Sequence, residues 1–244
     1  MASWSDRGFV LASRPQGDNG LIVSVLTQDH GRVRGLVFGG RSVRKRGWFE
    51  PGSILSVTWA TRTEGQRGRF TTAEPAGPGI AALLLDDRER LAVLASATAL
   101  LEELLPEDQP IAGGFTELAD LLVSLGTADW PAAYVRWEVA LSATLGYGLD
   151  LSECAATGGN DHLAYVSPKT GRAVSAAAGE PYRDRLLPLP GFLLDPAAPV
   201  SAQQVVDGLT LTGYFLGLAA NERDLPPARA RLLERRALAA KHTL

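Results

Sequence analysis

The sequence predicts an α+β fold, in which a five-stranded β-barrel is followed by a mainly α-helical domain. Three observations support this fold class. Short apolar runs separated by turn-forming residues fill the first 75 positions, and apolar residues recur at helical spacing from position 80 onward. Between the two patterns lies a proline- and glycine-rich stretch at residues 75–79, which predicts a boundary between a first domain, 1–78, and a second, 79–244.

Five strands are predicted in the first domain. The run LIVSVLT at residues 21–27 is rich in β-branched side chains, while RPQGDNG before it and Pro51-Gly52 further on are turn formers. The third strand begins with alternation, which places Arg32 and Arg34 on one face. Regular turn signals between short strands are typical of a small, closed or nearly closed antiparallel barrel. The predicted strands are residues 8–13, 21–27, 32–38, 54–59 and 69–74.

The second domain is predicted to contain five helices. Asp129 is a candidate N-cap with Pro131 in the first turn, and Ser201 with Gln204 forms a capping-box pattern. Residues from about 147 to 199 are irregular, with a candidate hairpin around 167–171. The predicted helices are residues 80–105, 111–125, 129–145, 201–222 and 226–241.

Composition excludes several classes of protein. No apolar stretch has the length of a membrane-spanning helix, and the N-terminus has Asp6 and Arg7 where a secretory signal places its apolar run, so we expect a cytoplasmic protein. Cys154 is the only cysteine and the three histidines are scattered. The sequence therefore predicts no disulfide, no metal site and no cofactor.

The two predicted domains differ in charge. Residues 1–78 contain 11 Lys/Arg and 6 Asp/Glu, whereas residues 79–244 contain 13 and 21. Such asymmetry indicates either that the basic part meets an anionic partner or simply that surface charge varies between domains.

Two basic clusters favour a nucleic acid as the anionic partner. Spaced cations neutralise phosphates, and aromatic faces stack on bases. In five-stranded barrels of the OB type, oligonucleotides lie on the face of strands 2 and 3, between the 1–2 and 4–5 loops, so both clusters should border one groove. The first cluster consists of Arg32, Arg34, Arg41, Arg44, Lys45 and Arg46 with Trp48, and the second of Arg62, Arg67 and Arg69.

Enzyme signatures are missing, and we predict a protein without catalytic residues. The sequence has no phosphate-binding loop, no nucleophile elbow and no H-E-x-x-H pair. A hydrolase built from Asp161, His162 and Ser167 is a remote alternative, because a histidine in a surface turn explains the pattern more simply.

The third predicted helix has an apolar stripe formed by Tyr134, Trp137, Leu141 and Leu145. The spacing of three and four places these residues on one face. Core packing is the favoured interpretation, and a peptide-binding groove near Arg136 and Arg172 is the alternative.

The chain resembles RecO, the family of bacterial recombination-mediator proteins. The resemblance rests on GFVLASRPQGDNGLIVSVLTQDHGRVRGLVFGG (8–40), on PGSILSVTW (51–59), and on the stretch from residue 137 through LGYGLDLSECAATG (145–158) to LAYVSPKTGRAVS (163–175). These stretches appear in family order and span most of the chain.

The resemblance implies an N-terminal OB-fold, a helical C-terminal domain and a role in DNA repair. It implies binding to single- and double-stranded DNA, annealing of complementary strands, and cooperation with RecR, often with RecF, to help RecA displace single-strand-binding protein (SSB). It further implies that the helical domain binds the acidic tail of SSB, for which Arg136 and Trp137 are the candidates. The alternative is an adaptor that binds SSB or RecR, with only weak, non-specific DNA contact.

One departure from the family is informative. Some members carry a four-cysteine zinc module in the C-terminal region, but here only Cys154 matches a ligand position, and the later pair is replaced within RAVSAAAGEPY. We therefore expect this segment to be held by packing and hydrogen bonds, with Cys154 as a small buried apolar residue.

Overall fold

The computed structural model describes residues 2–45, 47–61, 68–77, 80, 84, 86–221 and 223–242. The chain divides into two compact units, Met1–Val123 and Ser124–Leu244. The first holds a β-barrel and helices, and the second is mainly helical, which confirms the predicted fold class. Among the described residues no helix is long and apolar enough to cross a membrane.

Five strands close the barrel in the order β1-β2-β3-β5-β4. All five predicted strands are confirmed, but β1 is longer than predicted at both ends. Its polar N-terminal half lacks an apolar run, yet it pairs with β4 through Phe9, and its second half pairs with β2. The strands are β1 (Ala2–Gln16), β2 (Gly20–Thr27), β3 (Gly31–Val37), β4 (Ile54–Thr61) and β5 (Arg69–Pro75).

The barrel is filled by branched and aromatic side chains from every strand, including Val25, Val33, Leu55 and Phe70. Where β3 crosses β5, a Cβ atom on Gly35 would lie 2.7 Å from the ring of Phe70. Only glycine therefore lets these two strands approach so closely. The parallel β3–β5 contact is short and joins residue 36 to residues 68 and 69.

Among its described residues the first unit also contains two α-helices, α1 (Arg88–Leu104) and α2, which begins at Gly114 and ends at Ser124, at the edge of the unit. Asp87 caps α1 by accepting hydrogen bonds from the backbone N–H groups of Glu89 and Arg90. The helix packs against β1 and against the turn at Gly52, where Leu94 fills the space that a side chain would need. The C-terminal end of α1 is thereby held beside the barrel wall.

The second unit contains α3 (Trp130–Thr144), α5 (Ala202–Ala219) and α6 (Pro227–Lys241), with the short helix α4 (Ala176–Gly179) between them. A small sheet, in the order β7-β6-β8, is formed by β6 (Leu163–Val166), β7 (Ala173–Ser175) and β8 (Leu187–Pro188). The predicted hairpin at 167–171 is confirmed as the β6–β7 connection.

Helix starts follow the sequence closely in this unit. The capping box of Ser201 and Gln204 is confirmed, and Pro131 lies in the first turn of α3. Asp129 occupies the N-cap position of α3, but its carboxylate makes no capping hydrogen bond and instead accepts one from Arg136 at 2.9 Å.

A buried ion pair joins three helices of the second unit. The side chain of Glu138 on α3 has no solvent exposure and accepts hydrogen bonds from Arg229 Nε and Nη2 of α6, at 3.1 and 3.0 Å. Tyr134 Oη and Thr212 Oγ1 donate to the same carboxylate. Each carboxylate oxygen therefore accepts hydrogen bonds from two donors, and a buried charge needs such partners.

Candidate nucleic-acid interface

The segment that follows β3, residues 38–48, carries a group of cations close together in sequence. It contains a short 3-10 helix, Val43–Lys45, and Arg41 and Arg44 are exposed. Arg41 Nη1 donates to the carbonyls of Gly17 and Asp18 in the β1–β2 turn, at 3.2 and 3.0 Å. This contact fixes the basic segment beside the turn that borders the predicted groove.

A recess at the end of β3 brings together residues that are distant in sequence. Phe38, Lys45 and Arg69 line it, with Phe70 and Thr71 from β5. Lys45 Nζ lies 5.4 Å from the centroid of the Trp48 ring. None of Arg41, Arg44, Lys45 and Arg69 has an acidic side chain within salt-bridge distance among the described residues.

Phe38 is a feature of this recess that the sequence interpretation did not single out. Its side chain is 67% exposed, although it directly follows a buried strand. The alternation of β3 explains its position: Val33 and Val37 face the interior, so residue 38 points outward. The sequence could have predicted this exposure, because Phe38 is an aromatic residue one position out of phase with the buried residues of β3.

Arg32, by contrast, is enclosed. It is 6% exposed, its Nε donates to the carbonyl of Leu105 at 3.0 Å, and its Nη1 lies 3.6 Å from Glu102 Oε2. Its backbone carbonyl accepts from the N–H of Asp108. These contacts join β3 to the C-terminal end of α1.

Arg34 has a similar set of partners but is partly exposed. Its Nη2 donates to Glu102 Oε1 at 2.7 Å, and its Nη1 lies 3.2 Å from Glu107 Oε2. Burial would lower the pKa of Arg34, but the Glu102 and Glu107 carboxylates outweigh burial and raise it. The guanidinium is therefore charged and already neutralised within the protein.

Of the remaining predicted cations, the structure describes one and does not describe the other three. Arg69 is exposed at the start of β5, directly after the β4–β5 connection. Arg46, Arg62 and Arg67 lie outside the described residues. Exposed cations thus stand beside the 1–2 turn and beside the end of the 4–5 connection, while the single predicted groove between them remains a prediction.

The predicted partner residues of α3 have other contacts. Trp137 is buried and stacks on Tyr134 with ring centroids 5.7 Å apart. Arg136 donates to the carbonyl of Phe192 at 3.3 Å, and its guanidinium lies over the Phe192 ring. Within the second unit both side chains hold the irregular segment and the helix core together.

Cys154 is 1% exposed, so its predicted burial is confirmed, but its surroundings are not purely apolar. Its sulfur accepts a hydrogen bond from the N–H of Ser175 at 3.2 Å and lies 3.6 Å from Ser175 Oγ. Hydrogen bonds from Thr157 and Ser175 lower the pKa of the thiol to about 6. No cluster of potential metal ligands is present among the described residues.

The residues of the alternative hydrolase are separated by a strand. Asp161 and His162 precede β6 and Ser167 follows it, so the four-residue strand keeps them roughly 13 Å or more apart. No hydrogen bond joins them among the described residues.

Comparison with known proteins decides the family. A family model described as recombination protein O N terminal matches residues 1–78, and one described as recombination protein O C terminal matches residues 85–223. The chain is 50% identical to the DNA repair protein RecO of Rhodospirillum rubrum over 96% of each chain. It is 48% identical to that of Hyphomonas neptunium over 96% of this chain and 98% of the relative.

The chain belongs to the RecO family.

The family match covers the barrel and most of the helical part. The RecO N-terminal match ends at residue 78, where the sequence predicts the domain boundary, whereas the compact first unit continues through α1 to Val123. The difference arises because α1 packs on the barrel, and Glu102 on α1 and Glu107 just after it meet Arg32 and Arg34.

Proposed function

We propose that the protein is a DNA-repair mediator that binds single- and double-stranded DNA through the barrel. In this proposal it anneals complementary strands and, with RecR and RecF, helps load RecA onto SSB-coated DNA. The observation that carries the DNA-binding part is the set of cations at the end of β3: Lys45 and Arg69 line one recess with the exposed ring of Phe38, and Arg41 and Arg44 are exposed on the same segment as Lys45. Family membership supports the repair role.

The chemistry of this surface suits single strands. Cations without internal acidic partners neutralise phosphates and release counterions, so affinity falls steeply as salt rises. An exposed aromatic ring offers a stacking face for an unpaired base, whereas a base inside a duplex is already stacked. Neutralised phosphates on two strands repel each other less, which gives a physical route to annealing without catalytic residues.

Charge reversal tests the assigned surface. The variant Arg44→Glu with Lys45→Glu should lose at least about tenfold in DNA affinity at low salt, since two phosphate contacts become repulsive. The matched control is Arg183→Glu with Arg185→Glu, which makes the same change in net charge at two exposed positions of the second unit. Fluorescence anisotropy with a labelled oligonucleotide measures both. Equal losses in the two variants would mean that only net charge matters.

Phe38→Ala separates stacking from charge. Removal of a stacking ring costs about 1–3 kcal/mol per base, so single-strand affinity should fall by roughly fivefold or more. Duplex affinity should change little, and circular dichroism should be unaltered because the ring is exposed. Equal losses on single and double strands would remove the stacking role.

A second candidate function, that of an adaptor for an acidic tail such as that of SSB, is favoured by the surface of α6. Leu238 is 58% exposed and lies on one helical stripe with Arg231, Arg235 and Lys241. This stripe combines an apolar contact with cations. Leu238→Ser with Arg231→Glu should abolish binding of an SSB-tail peptide while leaving DNA binding intact, and the barrel charge reversal should do the opposite.

A further inference from the structure

The second half of β1 has an open edge. Pairing of β1 with β4 ends at Phe9, and the two backbone hydrogen bonds of Val10 go to Gly52 and Ser53. Beyond that point β1 pairs with β2 on one side and with no described strand on the other. Pro15 lies in this stretch, and proline within a sheet is confined to edges and bulges.

A groove runs along this edge. Four consecutive residues, 11–14, line it. The register with β2 shifts at Leu11, but after this shift successive side chains point to opposite faces, so a groove lined by all of residues 12–14 follows the edge of the strand rather than one face. Backbone N–H and C=O groups are therefore within reach of a segment lying in it.

The opposite wall is one stripe of α1. The lining residues of this stripe follow a spacing of three and four: Leu91, Leu94, Ala95, Thr98 and Ala99. Ala95 is exposed, Leu91 and Ala99 are half-buried, and the other two are buried, so the accessible part of the stripe is apolar. From residue 91 to residue 103 the helix rises about 18 Å, which is the length of five to six residues of extended chain. The groove thus has the length and the apolar wall that an added strand needs.

The rim is acidic. Glu50 at one end and Glu103 at the other line the groove, are exposed, and have no salt-bridge partner among the described residues. Glu102 is already paired with Arg32 and Arg34, and Arg14 is the cation among the described lining residues. A segment with lysine or arginine side chains complements the two unpaired carboxylates, and an acidic peptide does not.

We propose that the β1–α1 groove binds an extended, basic peptide segment of a partner protein, which adds to β1 as a further strand. Backbone hydrogen bonds to the β1 edge supply affinity, alternate apolar side chains pack on α1, and the basic side chains meet Glu50 and Glu103. This surface is independent of the DNA-binding proposal, because none of the exposed cations assigned to DNA lines it.

A designed probe tests the proposal directly. The probe is the peptide acetyl-Lys-Val-Lys-Val-Lys-Val-Lys-amide carrying a fluorophore, whose binding to the full chain is followed by anisotropy. A second peptide of the same sequence, N-methylated at every residue, cannot donate backbone hydrogen bonds from either edge of a strand. We expect the methylated peptide to bind at least about tenfold more weakly, and equal binding would overturn strand addition.

Variants locate the binding. Glu50→Lys with Glu103→Lys should weaken the probe at least about tenfold, and Glu74→Lys, an exposed glutamate outside the groove, should change it little. Ala95→Arg places a long side chain on the exposed stripe of α1 and should also abolish binding, while circular dichroism checks the fold. Equal effects of Glu74→Lys and the groove variants would contradict the site. A concentration-dependent dimer that excludes the probe and is abolished by Ala95→Arg would assign the groove to a second copy of the chain instead.

Discussion

The two halves of the basic run at residues 32–48 have opposite surroundings. In the strand half, Arg32 and Arg34 are paired with Glu102 and Glu107. In the segment after the strand, Arg44 and Lys45 have no acidic partner among the described residues. Both halves look alike in the sequence, and only one of them offers charge to a ligand in this structure. Whether a cation is available to a ligand therefore depends on which side chains the rest of the chain places beside it.

The second unit also contains one buried and one exposed arginine close together in sequence, and here we expect the larger effect on stability. Arg229 is buried against Glu138, whereas Arg231 two residues later is exposed. Arg229→Ala leaves a buried carboxylate without its charge partner, and the free energy of unfolding should fall by about 3–5 kcal/mol. Arg231→Ala should change it by less than about 0.5 kcal/mol. Urea titration followed by circular dichroism measures both, and similar small losses would mean that the buried pair contributes little.

In the barrel we expect a smaller difference in stability between the loss of a buried arginine and the loss of an exposed one. Arg32→Ala removes the hydrogen bond to the Leu105 carbonyl and leaves Glu102 with Arg34 as its remaining partner, so the loss should be about 2–3 kcal/mol. Arg44→Ala should leave stability unchanged but weaken DNA binding. The contrast fails if Arg32→Ala weakens DNA binding without loss of stability, since Arg32 would then act on the ligand.

Local sequence predicted the fold well because strand alternation, turn residues and helix caps act over a few positions. The five strands, the capping box and the hairpin at 167–171 all follow from such signals. The surroundings of the site residues did not follow, since Glu102 lies 68 residues from Arg34 and meets it only when α1 packs on the barrel. The exposure of Phe38 could have been predicted from the sequence, because it follows from the alternation of β3 alone.

The surroundings of the buried Cys154 thiol also change its ionisation. Its pKa in the folded chain, about 6, is below the ordinary value of a cysteine, near 8.5, because Thr157 and Ser175 donate to the sulfur. Between these two values the unfolded chain binds more protons, so this group should make stability rise with pH from about 6 to 8.5 and contribute nothing extra below 6. Urea midpoints across this range should rise more steeply for the native chain than for Cys154→Ala. Parallel pH profiles would contradict the thiolate.

The smallest effect is expected at Arg34, the residue of the strand half that is partly exposed. Glu107 lies 3.2 Å from Arg34, and both side chains are partly exposed. Glu107→Gln removes one competitor for the Arg34 guanidinium, and because partly exposed ion pairs contribute about 0.2–1 kcal/mol, DNA affinity should rise by roughly two- to fivefold. The salt dependence should steepen by up to about one phosphate contact. Asp108→Asn is the matched control, since it makes the same charge change next to Glu107 at an exposed residue that forms no salt bridge with Arg34 among the described residues, and asparagine tolerates the positive φ there. A gain confined to Glu107→Gln would mean that Arg34 becomes available to DNA once its neighbour is neutral, whereas equal gains in both variants would reflect net charge alone and leave the strand half of the run closed to the ligand.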